Sequence, residues 1–170
     1  MINEELGMRN AELKVNELDT LADSISFLIT NAHAQLKIHV NVAMVQSYWD
    51  VGRLIVEEEQ KGATRAEYGK QQLELLSKKL TKRLGKGFTV RNLRNMRSFY
   101  LTFPIWHAVS TELTWTHYRS LLRVENPSAR DWYMKEAISQ NWSSRALDRQ
   151  ISVLYYERLR AIEKLGADSE

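Results

Sequence analysis

The sequence predicts an all-α protein, a helical bundle with a long N-terminal helix and a helix-turn-helix-like core. Three observations carry this. Apolar residues recur at spacings of three and four through most of the chain, which is the period of one helix face. No segment of strand length alternates apolar and polar residues between turn residues. Cap residues, glycines and the two prolines bound the apolar runs where helices start and stop. With 170 residues, 44% of them hydrophobic and 26% charged, the chain suits one domain with a substantial core.

Residues 1–17 lack a clear period and contain Gly7, Asn10 and Asn16, so a flexible lead-in or a frayed helix without function is expected there. A single helical domain is expected over 18–165. Leu18, Leu21, Ile25, Leu28, Ile29, Ala32, Leu36 and Val40 keep helical spacing, and Val42, Val45, Tyr48, Trp49, Gly52, Ile55 and Val56 continue it. This is one very long helix, or two with a break near residues 39–41, ended by Gly62. Glycine at position 52 costs a helix interior about 1 kcal/mol relative to alanine, which points to another helix approaching its backbone.

The next helix starts near Thr64 and carries Leu73, Leu76, Leu80 and Leu84 on one stripe with lysines opposite; Gly85 is its left-handed stop. Thr89 caps the helix after it, with Phe88 placed to pack back on Leu93. Val90, Leu93, Met96, Tyr100 and Phe103 share one face of that helix. Arg91, Asn95, Ser98 and Thr102 lie opposite, with Arg94 at the edge and Arg97 close to the apolar boundary, where a structural role is expected. Pro104 ends it. Thr114 caps a short helix over 115–122, Asn126 and Pro127 open one over 127–139, and Trp142 and Ser143 open a last one. The apolar positions of that last helix run to Gly166, and 166–170 is a polar tail.

Function is read from residues 80–100, where a helix end, a Gly-Lys-Gly turn and a helix rich in Arg and Asn follow one another. That is the layout of a helix-turn-helix, whose second helix enters a DNA major groove. Residues 70–100 contain nine Lys or Arg against the single acid Glu74, in a chain whose net charge is only +3. Such segregation concentrates a field that attracts a polyanion; the alternative is a solvated helix face. Arg and Asn match guanine and adenine edges in bidentate fashion, which selects Arg91, Arg94 and Asn95 as base contacts. Lys78, Lys79, Lys82, Arg83, Lys86 and Ser98 are the expected phosphate contacts. Duplex DNA is the expected partner. The rival expectation is a protein-interaction module, in which the first helix forms a homodimer or docks another domain.

Other chemistries find little support. Cysteine is absent, which removes disulfide frameworks and thiolate zinc sites and fits a reducing compartment. His33, His39, His107 and His117 contain no pair at metal-ligand spacing. Asp50 with Glu59-Gln60-Lys61 resembles a magnesium-nuclease signature, but it falls at a helix end, whereas such residues sit on neighbouring strands. No nucleophile elbow, phosphate loop or dinucleotide fingerprint occurs. No catalytic residue, metal or cofactor is therefore expected. Trp49, Trp106, Trp115, Trp132 and Trp142 are read as core anchors, and Arg119, Arg123, Arg130, Arg145 and Arg149 as partners of Glu125, Asp131 and Asp148. Acidic and polar residues interrupt the N-terminal apolar runs, and no stretch of about eighteen apolar residues occurs. A soluble cytoplasmic protein is the expectation.

Several phrases in order resemble the N-terminal domain of the bacterial YhcG-type family of PD-(D/E)XK nucleases. They include Tyr48-Trp49, Gly52-Arg53, Tyr68-Gly69-Lys70, Gly85-Lys86-Gly87-Phe88, Asn92-Leu93-Arg94, Phe99-Tyr100 and Trp115-Thr116-His117-Tyr118. The likeness continues through Leu121-Leu122-Arg123-Val124, Trp132-Tyr133, Trp142-Ser143 and Arg149-Gln150-Ile151 to Tyr156-Glu157-Arg158-Leu159. It spans about residues 40–159. The resemblance implies a helical domain that binds DNA ahead of a C-terminal metal-dependent nuclease domain. That second domain has no counterpart in this sequence, so nuclease activity is not expected of the chain.

Overall fold

The computed structural model describes the backbone of residues 2–61, 66–106 and 109–167, and the side chains of 16–61, 71–106 and 109–165. Among the described residues there are seven helices: α1 (Ile2–Lys61), α2 (Ala66–Leu84), α3 (Val90–Thr102), α4 (Trp115–Leu121), α5 (Pro127–Ser139), α6 (Ser144–Ser152) and α7 (Tyr155–Ala167). The fold is all-α, with a long N-terminal helix. Of the two alternatives for the first helix, the uninterrupted one is found, and α1 already begins within the stretch expected as a lead-in. Two compact units divide the chain, Met1–Val40 and Asn41–Glu170.

In the first unit, Leu18, Leu21, Ile25, Leu28, Ile29, Leu36 and Val40 are exposed despite their helical spacing. The core lies in the second unit. One cluster gathers Val45, Phe99, Phe103, Leu113, Tyr118, Leu121, Tyr133 and Leu147, with all five tryptophans partly buried around it or its neighbour. Tyr118 is fully buried, and its hydroxyl donates to the Ser110 carbonyl at 2.8 Å. Burial pushes this phenol well above its ordinary pKa.

A second cluster, Ile55, Leu73, Leu93 and Met96, joins α1, α2 and α3, with Leu76, Leu80 and Phe88 packed against it. Gly85, at φ +84°, stops α2, as a residue without Cβ readily does. Across the turn, the Ser77 hydroxyl donates to the Phe88 carbonyl at 2.7 Å. Leu93 has no solvent exposure. Leu93→Ala is therefore expected to cost about 2–5 kcal/mol, the range for truncating a buried leucine, measured by urea unfolding. A loss below about 1 kcal/mol would mean that the turn does not depend on this contact.

Three contacts fix α3 on α1. Trp49 Nε1 donates to the Phe103 carbonyl at 2.6 Å, and Arg97 Nε donates to both Glu59 carboxylate oxygens at 2.7 and 3.0 Å. Between them, the backbones approach so closely that a Cβ built on Gly52 would lie 2.0 Å from the Met96 carbonyl oxygen. The mid-helix glycine thus marks a helix crossing, and Arg97 is structural.

The expected last helix is two. Leu154 takes φ +52° and separates α6 from α7, a conformation that costs a non-glycine residue roughly 1–2 kcal/mol. The break lets α7 turn back onto α5. The Tyr156 N–H donates to the Tyr133 hydroxyl at 3.1 Å, that hydroxyl donates to Glu157 at 3.1 Å, and Tyr155 and Tyr156 stack on Trp132 at 5.7 and 5.5 Å between ring centroids. Aromatic pairs of this kind contribute about 0.5–1.5 kcal/mol each beyond their burial, which offsets the strain at Leu154. The apolar period continues across the break, so periodicity alone does not register it.

Among the described residues, no helix is long and apolar enough to cross a membrane.

Candidate nucleic-acid interface

With one face of α3 held against α1 and α2, its opposite face is left open. Thr89 caps the helix by accepting from the Asn92 N–H at 3.2 Å. Asn92 then joins three elements, because its Nδ2 donates to the Gly87 carbonyl at 2.6 Å and its Oδ1 accepts from Trp115 Nε1 at 3.2 Å. This sets the start of α4 beside the start of α3. Trp115 is steadied by Tyr48 and Phe99, at 5.0 and 5.4 Å between ring centroids.

α4 is tied to α6 in turn. His117 Nδ1 accepts from the Thr114 N–H at 3.1 Å, so the ring proton sits on Nε2, which donates to the Trp142 carbonyl at 3.0 Å just ahead of α6. Asp148 of α6 accepts from the Ser120 hydroxyl at 3.0 Å and from Arg123. His117 is buried and holds the scaffold together.

These ties leave a cleft of about 350 Å³ between the three helices. Arg91 and Asn95 line it from α3, Thr116, Arg119, Ser120 and Arg123 from the α4 side, and Ser144, Arg145 and Asp148 from α6. A second hollow of about 270 Å³ shares Arg91, Asn95 and Arg119 and runs to Gly87, Thr89 and Trp115. Arg123 and Asp148 neutralise one another. Arg91, Arg119 and Arg145 have no carboxylate partner among the described residues. Three guanidinium groups thus share one concave surface with two helix N-termini, those of α3 and α6, whose unsatisfied N–H groups also favour an anion. The arrangement can hold phosphate oxygens, while the Asn95 amide and the Thr116 and Ser144 hydroxyls offer neutral hydrogen bonds.

The residues named from the sequence fall into two groups. Arg91 and Asn95 meet in the cleft. Arg94 and Ser98 are exposed on α3 outside it, and Lys78, Lys79, Lys82, Arg83 and Lys86 are exposed on α2 and the turn, also outside it. Arg119 and Arg145 were assigned to ion pairs by sequence reasoning; of the five arginines read that way, only Arg123 meets one of the named acids. Arg130 donates instead to the carbonyls of Val124 and Glu125, and Asp131 pairs with Lys135 at 2.7 Å. The signal for Arg145 was its position in the first turn after the Ser143 cap. The acids of the nuclease-like phrase are engaged by arginines, Asp50 by Arg53 and Glu59 by Arg97. No three His, Asp or Glu side chains among the described residues lie close enough to hold a metal ion.

Residues 24–158 match the family described as the DUF1016 N-terminal domain. The chain belongs to that family. A relative, "Putative nuclease YhcG" of Escherichia coli (strain K12), is 36% identical over 168 residues, covering 80% of this chain but 45% of the relative. The chain thus spans about half the length of that relative. No solved structure matches the chain.

Proposed function

We propose that this domain binds duplex DNA, with the cleft between α3, α4 and α6 gripping the phosphate backbone and the exposed face of α3 turned to the bases. The observation that carries the reading is the convergence of Arg91, Arg119 and Arg145, unpaired among the described residues, on one surface with two helix N-termini. With Asp148 taken up by Arg123, the three remaining guanidinium charges repel one another, and an incoming polyanion relieves that repulsion. Asn95 sits among them as the residue best suited to an adenine edge, with Arg91 and Arg94 available to guanine. Lys78, Lys79, Lys82, Arg83 and Lys86 add phosphate contacts along α2, and Ser98 one on α3. In a longer relative, such a domain would deliver DNA to an attached nuclease.

The test is a duplex titration repeated at several salt concentrations, because each phosphate contact contributes about 0.9 unit to the slope of log affinity against log salt. Replacing Lys79, Lys82 and Lys86 by alanine together should weaken all duplexes alike and lower the slope by about three units. An unchanged slope would take these lysines out of the interface, and no salt-dependent binding by the intact chain would end the DNA reading. A protein-interaction role is the second reading. It is favoured by the apolar residues exposed along α1 and makes no use of the cleft.

A further inference from the structure

Seven apolar residues of α1, Leu18, Leu21, Ile25, Leu28, Ile29, Leu36 and Val40, each keep 52–65% of their surface exposed. Apart from the adjacent Leu28 and Ile29, their spacings of three, four and seven put them on one stripe, about 35 Å long for 23 residues of helix. They leave on the order of 700 Å² of apolar surface, compared with about 800 Å² per partner in a standard stable interface. A patch of this size on one helix face needs a cover. Charge along the same segment is polarised: Glu17, Asp19 and Asp23 stand at one end, Lys37 with His33 and His39 at the other. A parallel second copy would set acid against acid. An antiparallel copy sets acid against base.

We propose that residues 17–40 of α1 pair with the same residues of a second copy of this chain as an antiparallel two-helix coil with Leu28 at the two-fold axis. In that register, Asp19 lies level with Lys37 of the second copy and Glu17 with its His39. Ile25 enters the space between Ile29 and Ala32 of the second copy, and Leu18 and Leu21 cover its Leu36. The apolar stripe sets the register, the end-to-end charge polarity sets the antiparallel direction, and the two-fold axis makes the interface self-complementary. The inference is independent of DNA binding and gives the interaction reading a definite partner.

Sedimentation of the full chain at micromolar concentration should give twice its 19.8 kDa mass. Ile25→Glu with Leu28→Glu should give a monomer whose tryptophan-detected unfolding is unchanged, since every tryptophan lies within Asn41–Glu170. Orientation is read by cysteine cross-linking, because the chain has no native cysteine. Leu28→Cys should oxidise to a covalent dimer, whereas Leu18→Cys should not, its two copies being about 30 Å apart in the antiparallel register. Lys37→Asp should weaken the dimer modestly and only at low salt, because Lys37 lies outside the apolar stripe and acts through the polarity of the helix, and adding Asp19→Lys should restore it. A monomeric intact chain would assign the stripe to another occupant and overturn the proposal. So would Leu18→Cys cross-linking as readily as Leu28→Cys, the mark of a parallel pair.

Discussion

Replacing Arg91, Arg119 and Arg145 together by alanine is expected to remove most of the affinity for duplex DNA while leaving the fold intact. Each side chain is exposed, and none meets a carboxylate among the described residues, so truncation forfeits no internal ion pair. Each contact that is lost should cost about 1–3 kcal/mol where it is bidentate, and less where a single phosphate oxygen is touched. The salt slope should fall by about three units. Arg123→Ala is the informative comparison. It strips the partner from Asp148 and exposes a carboxylate inside the cleft, so it should weaken binding through repulsion even though Arg123 is already neutralised. Full affinity in the triple variant, with an unaltered melt, would show that DNA does not use this cleft and would return attention to the lysines of α2.

Gly52→Ala is expected to destabilise the protein by about 3 kcal/mol or more, against the ordinary direction for this exchange. Helix propensity alone favours alanine over glycine by about 1 kcal/mol. The new Cβ would meet the Met96 carbonyl oxygen at 2.0 Å, and that atom belongs to the backbone of α3, which cannot rotate away as a side-chain tip would. The helices must separate, which loosens Leu93, Met96 and Ile55 together. Steric overlap therefore exceeds propensity, and the sign of the change decides the matter in a urea titration. Stabilisation by about 1 kcal/mol would mean that α1 and α3 do not cross there. The variant should also lose DNA affinity in proportion to the loss of folded protein, unlike the arginine variants.

Much of this architecture was legible in the residues because it depends on local physics. Thr89, Thr114, Asn126 and Ser143 stand at the helix starts they were expected to cap, and Gly85 stops α2. Amphipathic spacing placed Leu93 and Met96 on the buried face of α3 and Arg91 opposite them, but it did not pick out Phe99, which is buried with them. Gly52 announced a close approach through its cost in a helix interior. Where a long-range contact competes with a local preference, the signal disappears. The break at Leu154 follows from the hydroxyl of Tyr133 and the rings of Trp132, far from it in the chain, and nothing near Leu154 records them.

The candidate site divides along the same line. Residue type and helical period, which any short window contains, pointed to Arg91 and Asn95 on an open face of α3. They could not say which other arginines would stand beside them. Whether an arginine is neutralised depends on which acid the fold brings within hydrogen-bond reach, and Arg123 meets Asp148 across 25 positions only because α4 packs on α6. That packing uses up one charge and leaves Arg119 and Arg145 facing Arg91 across the cleft's basic surface. The sequence by itself determined the family, the all-α class and the polarity of α3. Only the tertiary structure decided which cations converge and which are cancelled, because a Coulomb partner is chosen by distance in space and not by separation along the chain.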